Sequence, residues 1–293
     1  MRISTGYQYT SWTQNIDATT QNLYNLEEQL SSGKKISKPS DDPYGTTQSL
    51  NMTSLSSALT QYNSNLNTAK SYLTAADSGL NDASNLTQQA YSLAVEAASS
   101  TTDQTGRAAI VDQVTQMESS LLSIANSRGP NGDYIFGGQK TSSPPFTLTG
   151  NTLTYNGDAN SMNVSAGPNQ TVCMNVPGGG VFDKLYSQLE QFKTDLQGGG
   201  TGTISTIDIQ NLQTMNQQLS QIQGDVGARL QNVATWTNQN TLRITELTAD
   251  ISNYTDVNYA QVATQYQAAQ IAYQAALEVT ASAQKFSLMN YIQ

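Results

Sequence analysis

Between residues 55 and 97 the chain places an apolar or small residue every four, then every three positions, without a slip. The series is Leu55, Leu59, Tyr62, Leu66, Ala69, Leu73, Ala76, Leu80, Ala83, Thr87, Ala90, Ala94 and Ala97. Alternating steps of four and three keep one stripe on one side of an α-helix, and six heptads exceed the three or four that define a coiled-coil-like seam. One helix from about Pro43 to Ser100 is predicted, ~85 Å long at 1.5 Å per residue. Such a seam needs other long helices to cover it, and alanine in its second half lets their backbones approach closely.

The covering helices are legible. After the polar interruption STTDQTGRAA, the spacing resumes at Ile110, Val114, Met117, Leu121 and Ile124, so an antiparallel hairpin is expected. NSRGPNGDYIFGG closes it with turn residues. A short helix over VFDKLYSQLEQFKTDL is stopped by Gly198, Gly199 and Gly200. Leu212, Met215, Leu219, Ile222, Val226, Arg229 and Val233 then restore the seam, and Leu247 and Ile251 extend it; Gly224 and Gly227 are expected to interrupt it. Both ends carry single seams: Ile16, Leu23, Leu26 and Leu30, then Val262, Tyr266, Ala269, Tyr273, Leu277, Ala281, Gln284, Leu288 and Tyr291. The latter contains three consecutive steps of four, which unwind a supercoil locally. Isolated helices of that kind are marginal in water, so the two ends are expected to pair.

Residues 141–180 change character. FTLTGNTLTY reads as a hairpin about Gly150-Asn151, with Phe146 facing Tyr155 and Leu148 facing Leu153. SMNVS and TVCMNV add two alternating strands, with Val172, Met174 and Val176 on one face and Cys173 on the other. The fold class expected is mainly α, a discontinuous coiled coil and elongated helical bundle with a small inserted β domain. Its parts are 1–42 with 252–293 (terminal coiled coil), 43–140 with 181–251 (bundle) and 141–180 (β insert).

Composition narrows function. Hydrophobic residues make up 37% and charged residues 12%, which suits seams between helices better than one deep core. A net charge of −9, with 13 Lys and Arg that are scattered apart from Lys34, Lys35 and Lys38, argues against nucleic acid. There is no histidine and one cysteine, which removes His-based triads, His-ligated metals and internal disulfides. Cys173 reads as a small strand residue. The opening MRISTGYQYTSWTQN has no apolar leader core, and no run approaches the ~18 apolar residues of a membrane span. No cofactor is implied.

One stretch breaks the helical plan: LSSGKKISKPSDDPYG at 30–45. Gly33 suits a helix stop, and Pro39 holds Lys38 extended. Asp42 suits an N-cap with Pro43 as first helical residue, and Asp41 adds charge favourable to the helix start. The segment is an elbow with a defined exit angle. It resembles the N-terminal block of bacterial flagellin-type axial proteins. MRIST, GDYIFGG at 132–138, TYNGD at 154–158, GARL at 227–230 and the ending FSLMNYI extend the likeness along the chain. Pro43, where flagellins usually carry Ala, and residues 1–5 favour the hook–filament junction group of that superfamily.

The resemblance implies a structural subunit, not an enzyme, exported unfolded by the flagellar type III apparatus with a non-cleaved signal and an export chaperone. It implies a ring of copies between another hook-associated junction protein and the first flagellin subunits, outside the cell. The paired ends would form the inner coiled coil, the bundle the next shell, and the β insert the outside. Connector or inter-subunit candidates are Lys34, Lys35, Lys38, Asp41, Asp42 and Pro43 in the elbow, with the aromatics Tyr7, Tyr9, Trp12, Tyr259, Tyr266 and Tyr273, since large aromatics are enriched at interface cores.

Competing readings are a flagellin proper, a type III needle-tip or translocator protein, and an enzyme. Translocators need apolar inserting segments, which the chain lacks. Ser31-Ser32-Gly33-Lys34 satisfies S-x-x-K without the accompanying elements of acyl transfer. The Asn-x-Ser/Thr tripeptides at Asn51, Asn85, Asn163, Asn169 and Asn253 read as chance, and Gly178–Gly180 as a linker.

Overall fold

The computed structural model describes residues 5–99, 103–199 and 201–289. Its elements are α1 (Thr5–Ser32), α2 (Pro43–Ala97), α3 (Gln104–Ala125), β1 (Phe146–Thr149), β2 (Thr152–Tyr155), β3 (Asn163–Gly167), β4 (Gln170–Cys173), α4 (Phe182–Gln197), the single turn α5 (Thr201–Thr203), a π-helical segment (Ile204–Asp208), α6 (Ile209–Thr255) and α7 (Tyr259–Met289). The fold is mainly α with two small hairpins, as the periodicity implies. The chain divides into two compact units, Met1–Ser57 with Arg243–Gln293, and Ala58–Leu242.

The α2 seam is buried where the spacing places it from Leu66 through Ala97, whereas at its start Leu55 is 40% exposed and Tyr62 half-buried. It shares one core with Ile110, Val114 and Leu121 of α3, Leu185, Leu189 and Phe192 of α4, and Leu212, Leu219 and Val226 of α6. Helices α2 and α6 run antiparallel. Ser84 donates to Asn216 (3.0 Å), whose amide reaches Gln88 (2.8 Å), while Asn63 meets Thr241 (3.3 Å) at the other end. Asp103 caps α3 by accepting the Gly106 N–H at 2.8 Å. Hydroxyls on exposed faces bond a carbonyl four residues back, as Thr68, Ser71, Thr115 and Thr235 do, which lets Ser/Thr-rich helices close their own hydrogen bonds.

Gly224 and Gly227 do not interrupt α6, which is continuous from Ile209 to Thr255. A glycine in a helix costs about 1 kcal/mol, and burial of Leu219, Val226 and Val233 on the same helix outweighs it. The entry to α6 was not anticipated from periodicity. Its π-helical turn carries Asp208, 2% exposed, and burial together with the nearby Asp195 carboxyl pushes its pKa up to about 7.

The β1–β2 hairpin has the expected register, with Phe146 opposite Tyr155 and Leu148 opposite Leu153. Strands β3 and β4 form a second antiparallel pair, irregular between Ser165 and Gly167. Two-stranded sheets are marginal alone, and these rest on helices. Phe146, Leu153, Val172, Met174 and Val176 belong to the same core as α2, α3, α4 and α6. Asn126, at the end of α3, clasps the Phe146 backbone with both ends of its amide (2.9 and 3.0 Å). Asn65 and Asn240 donate to the Ser165 and Ala166 carbonyls, and Arg229 to that of Asn175. Cys173 is half-buried, its thiol 3.3 Å from Asn175 Oδ1.

In the first unit α1 packs on α7 around Leu26, Val262 and Ala269, flanked by Leu23, Leu30, Val257 and Tyr266. The predicted α7 seam departs after Tyr273. Leu277 and Ala281 are exposed, and Ala276 and Thr280 are half-buried in their place. A step of three after Tyr273 returns the stripe to α1, where a further step of four would rotate it away. The side chains of Gln284, Leu288 and Tyr291 lie outside the described residues.

Candidate functional site

The elbow lies within the first unit and is built from local chemistry. Gly33 ends α1 with φ +70°, its N–H bonded to the Gln29 carbonyl at 2.9 Å. A side chain there would be strained, and its Cβ would sit 2.5 Å from the Tyr259 hydroxyl. Asp41 turns its carboxylate onto the Ser37 and Lys38 N–H groups (3.2 and 2.8 Å), while its own N–H bonds the Lys38 carbonyl. Asp42 accepts the Gly45 N–H at 2.9 Å and so caps α2, which begins at Pro43. A Cβ at Gly45 would strike the Asp42 carboxylate at 2.5 Å, so the glycine of DDPYG leaves room for the cap. Lys35 Nζ lies 4.0 Å from Asp42.

The elbow is stapled to the break between α6 and α7. Lys34 and Asp256 form an antiparallel bridge, flanked by Lys35 N–H to the Thr255 carbonyl (2.6 Å) and Val257 N–H to the Gly33 carbonyl (3.1 Å). The Lys34 ammonium pairs with the Asp256 carboxylate, which also accepts from Ser252 and Thr255. Lys34 foremost, then those hydroxyls, lower the Asp256 pKa to about 2. Tyr44 meets Tyr254 edge-on, ring centroids 6.5 Å apart.

The sequence candidates therefore separate. Lys34, Lys35, Asp41, Asp42 and Pro43 lie together in the elbow, and Lys34 finds its acid in the same chain. Lys38 is exposed with its backbone held by Asp41. Tyr266 packs on the α1–α7 core, Trp12 and Tyr273 are half-buried, and Tyr7, Tyr9 and Tyr259 are exposed. Sequence reasoning missed Ser252, Thr255 and Asp256. A signal existed: Asn253, Thr255, Asp256 and Asn258 cluster where the seam breaks, and Asn258 caps α7 by accepting the Gln261 N–H at 3.3 Å.

In the second unit, the motifs GDYIFGG and TYNGD dock on one another. The Tyr155 hydroxyl donates toward the Asp158 and Phe136 carbonyls (2.7 and 3.2 Å). Asp158 accepts the Gln139 and Asn160 N–H groups, which hold its carboxyl below the usual range. Gly138, at φ +72°, has no room for a Cβ, which would lie 2.1 Å from the Asp158 carbonyl oxygen. The Gly178–Gly180 stretch, expected as a mere linker, is part of this packing. Gly178 bonds the Phe136 carbonyl (2.9 Å) and lies against Phe136, Phe146 and Phe182, while Gly179 lies on the Tyr155 ring. Nearby, Tyr72 donates to Asp133, and burial first, then that carboxylate, pushes its pKa up to about 12. These arrangements position backbone, and no nucleophile–base pair converges in them. Among the described residues no three His, Cys, Asp or Glu side chains group as a metal site, and no helix is long and apolar enough to cross a membrane.

Residues 3–141 match the profile of the bacterial flagellin N-terminal helical region. The chain is 25% identical to flagellar hook-associated protein 3 of Salmonella typhimurium over 98% of both chains. Among solved structures it is similar to flagellar hook associated protein-3 of Legionella pneumophila (TM-score 0.65, 13% identity, 69% of this chain and 97% of that one). It is also similar to FlgL of Bacillus cereus (TM-score 0.61, 19% identity, 69% and 99%). Those structures share the fold. The chain is thus similar to flagellar hook-associated protein 3 along nearly its whole length, and to flagellin across its N-terminal part.

Proposed function

We propose that this protein is a structural subunit of the bacterial flagellum that joins the hook-associated ring to the filament at the hook–filament junction. The observation that carries the reading is the similarity along 98% of both chains to the Salmonella hook-associated protein, spanning elbow, core and ends alike. The α1–α7 pair supports assembly, because each helix buries one stripe and leaves large apolar residues such as Ile271 and Val279 exposed.

In this reading copies assemble into a ring, with the other hook-associated junction protein on one side and flagellin on the other. Export through the flagellar type III apparatus without a cleaved signal, aided by a chaperone, brings the subunit outside the cell. Residues 1–42 with 252–293 form the inner coiled coil, 43–140 with 181–251 the bundle, and 141–180 the outer β part. Lys34, Lys35, Asp41, Asp42 and Pro43 serve as connector. Lys38 and the aromatics Tyr7, Tyr9, Trp12, Tyr259, Tyr266 and Tyr273 are offered to neighbouring subunits.

Deleting the gene, imaging the cells by electron microscopy and assaying flagellin in the medium tests this. Bare hooks with flagellin released into the medium are expected. Loss of filament and of flagellin together would make the protein the filament subunit itself, and unchanged filaments would overturn a junction role.

A further inference from the structure

In the second unit, α3, α4 and the tip of the β1–β2 hairpin line a cleft of about 290 Å³. Lys193 lies at it, its Nζ 2.7 Å from Glu118 Oε2 and 2.6 Å from Glu190 Oε2. Two carboxylates thus share one ammonium, leaving the cluster one positive charge short. The shortfall is costly because the cluster is buried. Glu118 is 4% exposed, and among the described residues neither its second oxygen nor that of Glu190 has a hydrogen-bond partner. Burial raises the Glu118 pKa, which the Lys193 ammonium only partly opposes. The remaining lining supplies hydroxyl and amide acceptors from Thr115, Ser119 and Asn151, with apolar surface from Leu122 and from Leu148, which is 47% exposed.

We infer that this cleft binds an organic cation, an ammonium or guanidinium group carried on an alkyl stem. A second cation supplies the missing charge and donates to the acceptors, while its methylene stem lies along Leu122 and Leu148 as long cationic side chains do elsewhere. The same chemistry has two sources: a lysine or arginine of another protein chain, and a free polyamine. The inference does not depend on the junction role.

The test is an amide-shift NMR titration of the full chain at low ionic strength with n-butylammonium, Nα-acetyl-lysine methylamide and 1,5-diaminopentane. Saturable shifts centred on Ser119, Leu148 and Asn151 are expected. Glu190→Gln should weaken binding about tenfold by removing one charge. Leu148→Ser, at an exposed rim position that leaves the ion cluster intact, should weaken it about threefold by removing apolar contact. Tighter binding of the lysine amide than of the other two upholds the site with a protein-borne cation as its ligand, and tighter binding of the diamine upholds it with a free polyamine. Non-saturating shifts spread over the surface, binding unchanged in both variants, or a preference for Ca²⁺ over every alkylammonium would overturn the inference.

Discussion

Two seams in this molecule have the same spacing and different fates. Along α2 the positions from Leu66 to Ala97 are buried, most of them completely, because α3, α4, α6 and the hairpins close over them. Among the described residues of α1 and α7, only Leu26, Val262 and Ala269 are buried, and less completely, because the two helices cover chiefly one another. Periodicity states which face seeks cover, and the number of neighbours decides how much it receives. The first seam is complete within the chain, whereas the second leaves surface that a further helix would bury.

Truncation measures that contrast most directly. Leu80→Ala in the closed core should cost about 3–4 kcal/mol by urea denaturation. Leu26→Ala should cost about half as much in the monomer, its larger effect falling on assembly followed by light scattering. Equal losses in dilute monomer would erase the distinction between the seams.

One carboxylate in each unit should respond to pH with opposite sign. Asp208 has a folded pKa raised to about 7, above its ordinary value. It weakens the fold progressively as pH climbs from about 4 to 7, where the unfolded chain loses the proton first. Asp208→Asn should therefore stabilise the second unit by up to about 2 kcal/mol at pH 8 and hardly at all at pH 4, read from denaturation midpoints at both pH values. Asp256 runs the other way. Its folded pKa is lowered to about 2, so the stability it contributes is present above about pH 4 and lost as pH falls toward 2.

Within the elbow, Gly33→Ala forces a side chain into a left-handed backbone and against the Tyr259 hydroxyl. A cost of about 1–2 kcal/mol is expected, appearing as faster proteolysis near residues 30–45 with the second unit's melting unchanged. The smallest effect should come from Lys34→Met. Its ion pair is half exposed and worth under about 1 kcal/mol after solvent screening, and the difference from wild type should vanish in 1 M salt. A larger, salt-insensitive loss would mean that the backbone bridge between the elbow and the α6–α7 break depends on the side-chain pair.

Periodicity located the α2 seam residue by residue from Leu66 to Ala97, because a helix repeats the same geometry at each turn. The elbow's chemistry was legible for the same reason: Gly33, Asp42 and Pro43 act within four residues of themselves. Hairpin register followed from the turn at Gly150. Asp256 was not legible as the partner of Lys34, since 222 residues separate them and one carboxylate among several carries no mark of its neighbour. Gly178 and Gly179 looked like a linker because glycine states only that a Cβ is absent, and the aromatic rings that need its absence come from Phe136, Phe146, Tyr155 and Phe182.

What the sequence by itself determined is local and repetitive: which faces are apolar, where helices start and stop, and which strands turn back on themselves. Tertiary structure alone decided that α6 runs unbroken through two glycines, that the α7 stripe shifts by one position after Tyr273, and that two distant motifs meet at Tyr155. Each outcome rests on a contact between residues far apart in the chain. Whether a buried contact outweighs a local penalty of about 1 kcal/mol depends on neighbours that no window of sequence contains.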